Sequence, residues 1–148
     1  MRFMGLDLGE KRIGVALSDP LGWTAQGLEV IPVSGSLENS ITPIQNIVRQ
    51  YEVEKIIIGM PRNMDGSLSP SAIRAKEFAG LLSKKLGLPV EMYDERLTTL
   101  AAERVLLEAD LSRSRRRKVI DKMAAVLILQ GYLDNLAFKD KNKGRLEE

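Results

Sequence analysis

Three acidic residues occupy positions where strand or helix geometry directs a side chain toward the protein interior. Asp7 lies in the apolar strand pattern MGLDL, and Glu95 directly follows Asp94 at the end of a later strand pattern. Asp121 begins a helical stripe with spacings of four, seven and eleven residues. The stripe consists of Asp121, Ala125, Ile128 and Tyr132. Carboxylates that converge in the interior repel one another and lose hydration, so such a cluster requires compensating protons or cations.

The chain contains no histidine and no cysteine, which restricts the chemistry open to it. This absence excludes a Ser–His–Asp triad, a thiolate nucleophile and zinc sites built from His or Cys. Carboxylate oxygens favour Mg²⁺ or Mn²⁺ instead. A carboxylate-held pair of such ions can activate water and clamp both oxygens of a phosphodiester. We therefore expect Asp7, Glu95 and Asp121 to act as metal ligands and catalytic residues.

Each acid also has a plainer interpretation. Acids at a strand–helix junction favour a helix N-terminus through its dipole, which could account for Asp94 or Glu95. Asp121 could be solvated at the edge of its stripe, or paired with Lys118 or Lys122 on the same helix. The sequence leaves open which of the two adjacent acids is the ligand, and whether one metal ion or two would bind.

Basic and polar residues near these acids are candidate contacts for nucleic acid. The segment SRSRRRK, just before Asp121, carries five cations and no acid, and such a run can neutralise backbone phosphates. The alternative for this run is a solvated surface. For Lys11 and Arg12 the alternative is a charged hairpin tip, and for the segment Arg62–Ser69 it is an ordinary connecting loop. The predicted contacts are Lys11, Arg12, Arg62, Asn63, Ser69, Arg113, Arg115, Arg116, Arg117 and Lys118. Aromatic residues make up only 5% of the chain, so backbone contacts are favoured over base stacking.

Length and composition predict one soluble domain. The chain has 148 residues and a formal net charge of +2, so only local clustering argues for a polyanionic partner. We expect a single domain over residues 1–138 and a polar, frayed tail over 139–148. No apolar run is long enough to cross a bilayer, and no signal peptide is visible. A cytoplasmic protein without a membrane partner is the expectation, and the oligomeric state is left open.

The order of predicted elements is β-β-β-α-β-α-β-α-α. The strands are Arg2–Leu8, Arg12–Ser18, Ala25–Val33, Lys55–Ile58 and Pro89–Tyr93. The helices are Leu37–Tyr51, Ser69–Leu86 with Ser69 as its cap, Thr98–Glu108 and approximately Arg117–Asn135. Three hairpin-linked strands followed by βαβ crossovers predict an α/β fold with a mixed sheet and helices on its faces.

Four segments in this order resemble the signature blocks of the YqgF family. These are GLDLGEKRIGVALSD, GMPRNMDGSLSPSA, DERLTT and KVIDKMAAVLILQ. The family comprises RuvC-like Holliday junction resolvases, also described as pre-16S rRNA nucleases. The resemblance implies an RNase H-like fold with sheet order 3-2-1-4-5 and strand two antiparallel to the others. It also implies an acidic site at Asp7, Glu95 and Asp121.

The resemblance favours RNA over DNA as the nucleic-acid partner, with ribosomal precursor particles as candidate assemblies. Two departures from the wider RuvC-like pattern weaken junction resolution as the specific activity. The fourth strand ends in Gly59-Met60-Pro61-Arg62 without an acid, and Ala124 and Ala125 follow Asp121 where a second helical acid often stands. The alternatives are a non-catalytic RNA-binding or ribosome-assembly module and a nucleotide-binding protein of actin-like ancestry. The sequence does not distinguish endonuclease from exonuclease.

Overall fold

A five-stranded mixed sheet forms the centre of the fold. The structure is a computed structural model that describes residues 2–61, 67–95 and 113–147, with side chains of the last range described from 120 to 140. The strands are β1 (Arg2–Leu8), β2 (Arg12–Ser18), β3 (Ala25–Pro32), β4 (Val53–Met60) and β5 (Val90–Asp94). They lie in the order β3-β2-β1-β4-β5. β2 is antiparallel to β1 and β3, whereas β4 is parallel to β1 and β5, which confirms the predicted topology.

The described helices are a short 3₁₀ turn (Leu37–Ser40), α1 (Ile41–Tyr51), α2 (Pro70–Leu86) and α3 (Arg113–Glu147). The Ser69 hydroxyl accepts the Ala72 N–H and caps α2, as predicted, and Gly87 ends that helix with a φ of 67°. The predicted α1 starts four residues too early, because Leu37–Ser40 forms the 3₁₀ turn. The helix predicted over Thr98–Glu108 lies outside the described residues.

The last helix, α3, is longer than its sequence pattern predicts. It runs from Arg113 to Glu147, so the backbone from Lys139 to Glu147 is helical where a frayed tail is expected. The apolar stripe defines only the part that packs on the sheet, whereas the flanking residues are mostly good helix formers and include no proline. Within the described ranges, no helix combines the length and apolar character needed to span a membrane.

Two apolar cores lie on opposite faces of the sheet. α1 and α2 cover one face, where Leu6 of β1 packs with Ile44 and Leu82. α3 covers the other face, where Phe3 of β1 packs with Ile128 and Leu129. Side chains alternate along a strand, so Phe3, Gly5 and Asp7 share the α3 face.

Glycines on the α3 face allow the helix to lie unusually close to the sheet. An ideal Cβ placed on Gly5 would lie 2.7 Å from the Cβ of Leu129. A Cβ placed on Gly14 would overlap the backbone carbonyl oxygen of Asp121. The α3 backbone therefore contacts β1 and β2 directly, and this contact fixes where Asp121 lies.

A polar cluster of Lys55, Glu91 and Tyr132 holds α3 to the sheet, further along the helix than Asp121. The Lys55 ammonium donates to Tyr132 Oη at 2.7 Å and pairs with Glu91 Oε2 at 2.6 Å, and the Tyr132 hydroxyl donates to the same Glu91 oxygen at 2.8 Å. The hydrogen bond from Lys55 lowers the pKa of Glu91 below its ordinary value of 4.5. Burial alone would lower the pKa of Lys55, but its bonds to Glu91 and Tyr132 outweigh burial and raise that pKa.

The Glu91 bonds predict a pH-dependent contribution to stability. A lowered folded-state pKa gives stabilisation that is complete above the ordinary carboxyl pKa and disappears as the pH falls through the lowered value. The Glu91 side chain is 49% exposed, so we expect Glu91→Gln to lower the free energy of unfolding by only about 0.5 kcal/mol at pH 7. In urea unfolding, the difference in free energy of unfolding between Glu91→Gln and the unaltered chain should disappear below about pH 4. Glu54→Gln, an exposed position on β4, is the control and should change stability less. If Glu91→Gln still has a lower free energy of unfolding than the unaltered chain at low pH, the prediction is contradicted.

Candidate active site

Asp7 is buried between β1 and α3, near the C-terminal end of β1. Only 6% of the surface of Asp7 is exposed to solvent. In the antiparallel β1–β2 ladder it stands directly opposite Gly14. Because Phe3 and Gly5 face α3, the alternation of side chains directs Asp7 toward the same helix. The first predicted acid thus lies beneath the N-terminal half of α3.

Asp121 lies on α3 directly above β2, the strand that pairs with β1 at Asp7. Its carbonyl oxygen packs against Gly14, the residue opposite Asp7. The Asp121 side chain is 18% exposed, and Ala125 and Ile128 of the same stripe are fully buried. The stripe faces the sheet as the spacing predicts, and Asp7 and Asp121 are both neighbours of Gly14.

Glu95 approaches Asp7 from the other side. Gly59 of β4 lies one position beyond Ile58, which is in register with Leu6, so it flanks Asp7 on the parallel side of β1. Glu95 Oε1 lies 2.7 Å from the position that a Cβ of Gly59 would occupy. Glu95 Oε1 therefore lies next to the strand position that flanks Asp7. Glycine at positions 14 and 59 leaves the space that the acids of α3 and the β5 end require.

The Asp121 carboxylate is bound by a cation from the first hairpin. Arg12 Nε donates to Asp121 Oδ2 at 2.8 Å, and the Arg12 side chain is 31% exposed. The sequence suggests Lys118 or Lys122 as a partner; the partner seen for this oxygen is Arg12, and the Lys118 side chain lies outside the described ones. Among residues 2–61, 67–95 and the described part of α3, no three acidic side chains are arranged as a ready-made metal site. Asp121 and Glu95 thus lie beside the two glycines that flank Asp7, and Oδ2 of Asp121 is bonded to Arg12.

A groove beside this ion pair is open to Asp121. It has a volume of about 340 Å³ and is lined by Gly9, Glu10, Lys11, Arg12 and Asp121. Lys11 is exposed, as is Glu10. Cations at a concave surface next to carboxylates are suited to contact a phosphate backbone while the acids face its ester bond.

The hairpin turn that carries these cations has a fixed backbone. The Gly9 N–H donates to the Arg12 carbonyl oxygen at 2.8 Å, and the Val33 N–H donates to the Lys11 carbonyl oxygen at 2.8 Å. Arg74 of α2 donates from Nη1 to the Gly9 carbonyl oxygen at 2.9 Å. Sequence reasoning missed Arg74. One feature of the sequence could have indicated it: Arg74 is a cation near the N-terminus of a helix, where the helix dipole disfavours a positive charge unless it has a partner.

The other predicted contacts fall into two groups. The Ser69 hydroxyl is already bonded, since it accepts from Ala72 N–H at 3.2 Å and donates to the Pro61 carbonyl oxygen at 3.3 Å. This places Ser69 in a structural cap. Arg62 and Asn63 lie outside the described residues. The helical backbone of α3 includes positions 113–118, within three turns before Asp121, but the described side chains of that helix begin at 120.

The chain matches a family model described as "RuvX: Holliday junction resolvase" over residues 1–135. Among curated relatives, one from Pelotomaculum thermopropionicum is 67% identical over 135 residues, covering 91% of this chain and 88% of the relative. Another, from Moorella thermoacetica, is 60% identical over 136 residues, covering 92% of this chain and 96% of the relative. Both carry the name "Putative pre-16S rRNA nuclease".

Two solved structures share the fold at low sequence identity. RuvC of T. thermophilus in complex with Holliday junction substrate is 14% identical, with a TM-score of 0.55 over 88% of this chain and 92% of that chain. The Holliday junction resolvase of fowlpox virus is 16% identical, with a TM-score of 0.53 over 91% and 99% of the two chains. These structures confirm the RNase H-like fold and carry no further conclusion about activity.

Proposed function

The chain belongs to the RuvX family, and on that premise we propose that it is a divalent-metal-dependent nuclease that hydrolyses phosphodiester bonds in nucleic acid. One observation of the structure supports this proposal above the others. Asp7 lies on β1 between two glycines of the neighbouring strands, and an acid approaches each of them: the backbone of Asp121 packs on Gly14, and Glu95 Oε1 lies beside Gly59. Carboxylates brought to one partly buried place favour binding of a cation.

Asp7, Glu95 and Asp121 would hold Mg²⁺ or Mn²⁺. All their donor atoms are carboxylate oxygens, which suits these hard ions. When bound, such an ion activates a water molecule and stabilises negative charge on the phosphate oxygens. The protein supplies the orientation, because β1 and the close α3 contact at Gly14 fix the backbones of Asp7 and Asp121. Asp121 would bind the ion through a carboxylate that also accepts a hydrogen bond from Arg12.

The hairpin groove would bind the phosphate backbone next to these acids. Lys11 is exposed at its edge, and Arg12 lines it beside Asp121. The cationic run at positions 113–118 directly precedes Asp121 on α3, and its last residue, Lys118, is three positions away, about 4.5 Å along the helix axis. Binding through these cations should weaken as the salt concentration rises.

The proposed substrate is RNA, specifically the precursor of 16S ribosomal RNA. The support is the name carried by relatives that are up to 67% identical to this chain. Cleavage of a four-way DNA junction is the second candidate activity, supported by the description of the family model. A cytoplasmic location and ribosomal precursor particles as partners are consistent with the first activity.

A cleavage assay on four substrates tests the proposal. Precursor 16S RNA spanning a mature end, an unrelated RNA of equal length, a DNA duplex and a four-way DNA junction are incubated with the protein. We expect cleavage of the precursor RNA with Mg²⁺ or Mn²⁺, no cleavage in EDTA, and recovery when metal is restored. Cleavage in EDTA would contradict metal dependence. No cleavage of any substrate, with RNA still bound, would identify a non-catalytic RNA-binding module instead.

A further inference from the structure

Arg12 contacts Asp121, although the proposed function gives the two residues different partners. Arg12 would bind a phosphate, and Asp121 would bind a metal ion. Arg12 starts β2 beside the groove, and Asp121 lies on α3, 109 positions later in the chain. Their 2.8 Å contact, with side chains 31% and 18% exposed, is a partly buried, charge-assisted hydrogen bond. It places a guanidinium on an acid that the proposed function assigns to a metal ion.

A divalent cation and this guanidinium compete for the same carboxylate. An ion held by Asp7, Glu95 and Asp121 takes at least one Asp121 oxygen, and this carboxylate already shares its negative charge with Arg12 through Oδ2. The positive charge of Arg12 also repels a second cation nearby, and such repulsion is strong where water is partly excluded. Metal binding would therefore be weaker while Arg12 holds this carboxylate, and stronger once the Arg12 side chain moves away.

A displaced Arg12 side chain has a place to go. It lines the groove with Lys11, and its own backbone is held by the Gly9–Arg12 hydrogen bond, with the turn further held by Arg74. The side chain can therefore move without disturbing the hairpin. A phosphate in the groove offers the guanidinium a new anionic partner, and guanidinium groups bind phosphate through paired N–H donors.

We propose that Arg12 is a positioning residue that holds the Asp121 carboxylate and weakens its binding of the metal ion until a nucleic-acid phosphate draws the guanidinium away. The inference rests on the proposed function, since it assigns Asp121 to a metal. Arg12 would therefore weaken metal binding in the free protein and strengthen nucleic-acid binding. Binding of nucleic acid and of metal would support each other, because each removes a competitor of the other.

Calorimetric titration with Mn²⁺, without nucleic acid, tests this inference directly. We expect Arg12→Gln to bind Mn²⁺ about tenfold more tightly than the unaltered chain, within the usual range of coupling between sites. The same variant should bind a short RNA several-fold more weakly in EDTA, measured by fluorescence anisotropy. A residue with a merely structural role would not shift these two affinities in opposite directions.

Two further variants separate the contact from general charge. Lys11→Gln removes a cation from the same turn but not from Asp121, so it should weaken RNA binding while changing Mn²⁺ affinity by less than about twofold. Arg12→Lys keeps the charge without the guanidinium geometry, so we expect Mn²⁺ binding about threefold tighter and RNA binding largely retained. Circular dichroism checks that each variant is folded, and Arg12→Lys carries the test if Arg12→Gln is not.

The outcomes are distinct. If the unaltered chain binds Mn²⁺ and neither Arg12 variant binds it more tightly, the competition is refuted while the metal-dependent nuclease stands. If no variant binds Mn²⁺ at any concentration tested, both the proposed function and this inference fail. An equal gain in Mn²⁺ affinity from Lys11→Gln would also overturn the inference, because it would attribute the effect to net charge alone.

Discussion

Asp7→Asn is expected to leave the protein folded and to reduce metal-dependent cleavage by about a thousandfold, equivalent to roughly 4 kcal/mol of transition-state stabilisation. Asp7 is 6% exposed and shares Gly14 as a neighbour with Asp121. Asparagine has nearly the same shape but lacks the negative charge on which a metal ligand depends. The measurement is the initial rate of precursor RNA cleavage at saturating Mn²⁺.

The same substitution should not cost stability. Asp7 is buried, and replacing its charge with an amide of nearly the same shape relieves desolvation, so the melting temperature should stay within a few degrees of that of the unaltered chain. Asp19→Asn is the matched control, since Asp19 lies at the opposite end of β2 and its carboxylate accepts N–H groups of Trp23 and Thr24 at 2.7 and 2.8 Å. The Thr24 bond contributes most to lowering the pKa of Asp19. Asp19→Asn should cleave within about twofold of the unaltered chain, as expected for a change remote from the acids. An Asp7→Asn variant that cleaves at the full rate would remove Asp7 from the site.

Gly14→Ala is expected to damage stability and activity together. The added Cβ would overlap the carbonyl oxygen of Asp121, which is backbone and cannot rotate away. α3 must therefore shift from the sheet, and overpacking of this kind costs about 3 kcal/mol, or roughly 10 °C in melting temperature. Because the shift also moves Asp121, we expect cleavage to fall by at least about tenfold even below the melting transition.

Gly80→Ala provides the contrast for that experiment. Gly80 lies inside α2, and a Cβ there would meet nothing within 4 Å. Alanine is the better helix former, so this variant should be more stable by about 0.5–1 kcal/mol and should cleave normally. Thermal unfolding and cleavage rates measured on both variants separate a local clash from a general effect of replacing glycine. A fully stable Gly14→Ala variant would show that α3 does not depend on this close contact.

Local patterns predicted much of this molecule. The alternation along β1 placed Asp7 with Phe3 and Gly5, and the helical spacing placed Asp121 on the same side as Ala125 and Ile128. The sheet order came from the resemblance to a known family and is confirmed. These features depend on residues close in sequence or on a complete set of ordered motifs.

The contacts that define the site required the three-dimensional structure. The Arg12–Asp121 pair joins residues 109 positions apart and depends on how far α3 lies along β2. The choice between Asp94 and Glu95 depends on which oxygen reaches Gly59, and Arg74 contacts Gly9 only because α2 packs beside the hairpin. Local propensity contains none of this information. It also underestimated α3, because an amphipathic stripe marks where a helix packs and not where it ends.

The position of α3 after all the strands of the sheet has a consequence for biosynthesis. A ribosome makes the β1 acid well before the helix with Asp121, so a nascent chain with all five strands of the sheet still lacks one of the proposed ligands. Its glycine-lined sheet face is also uncovered, because α3 supplies Ile128 and Leu129. If the chain cuts RNA as proposed, it stays inactive beside the RNA-rich machine that makes it until α3 has emerged and packed on the sheet.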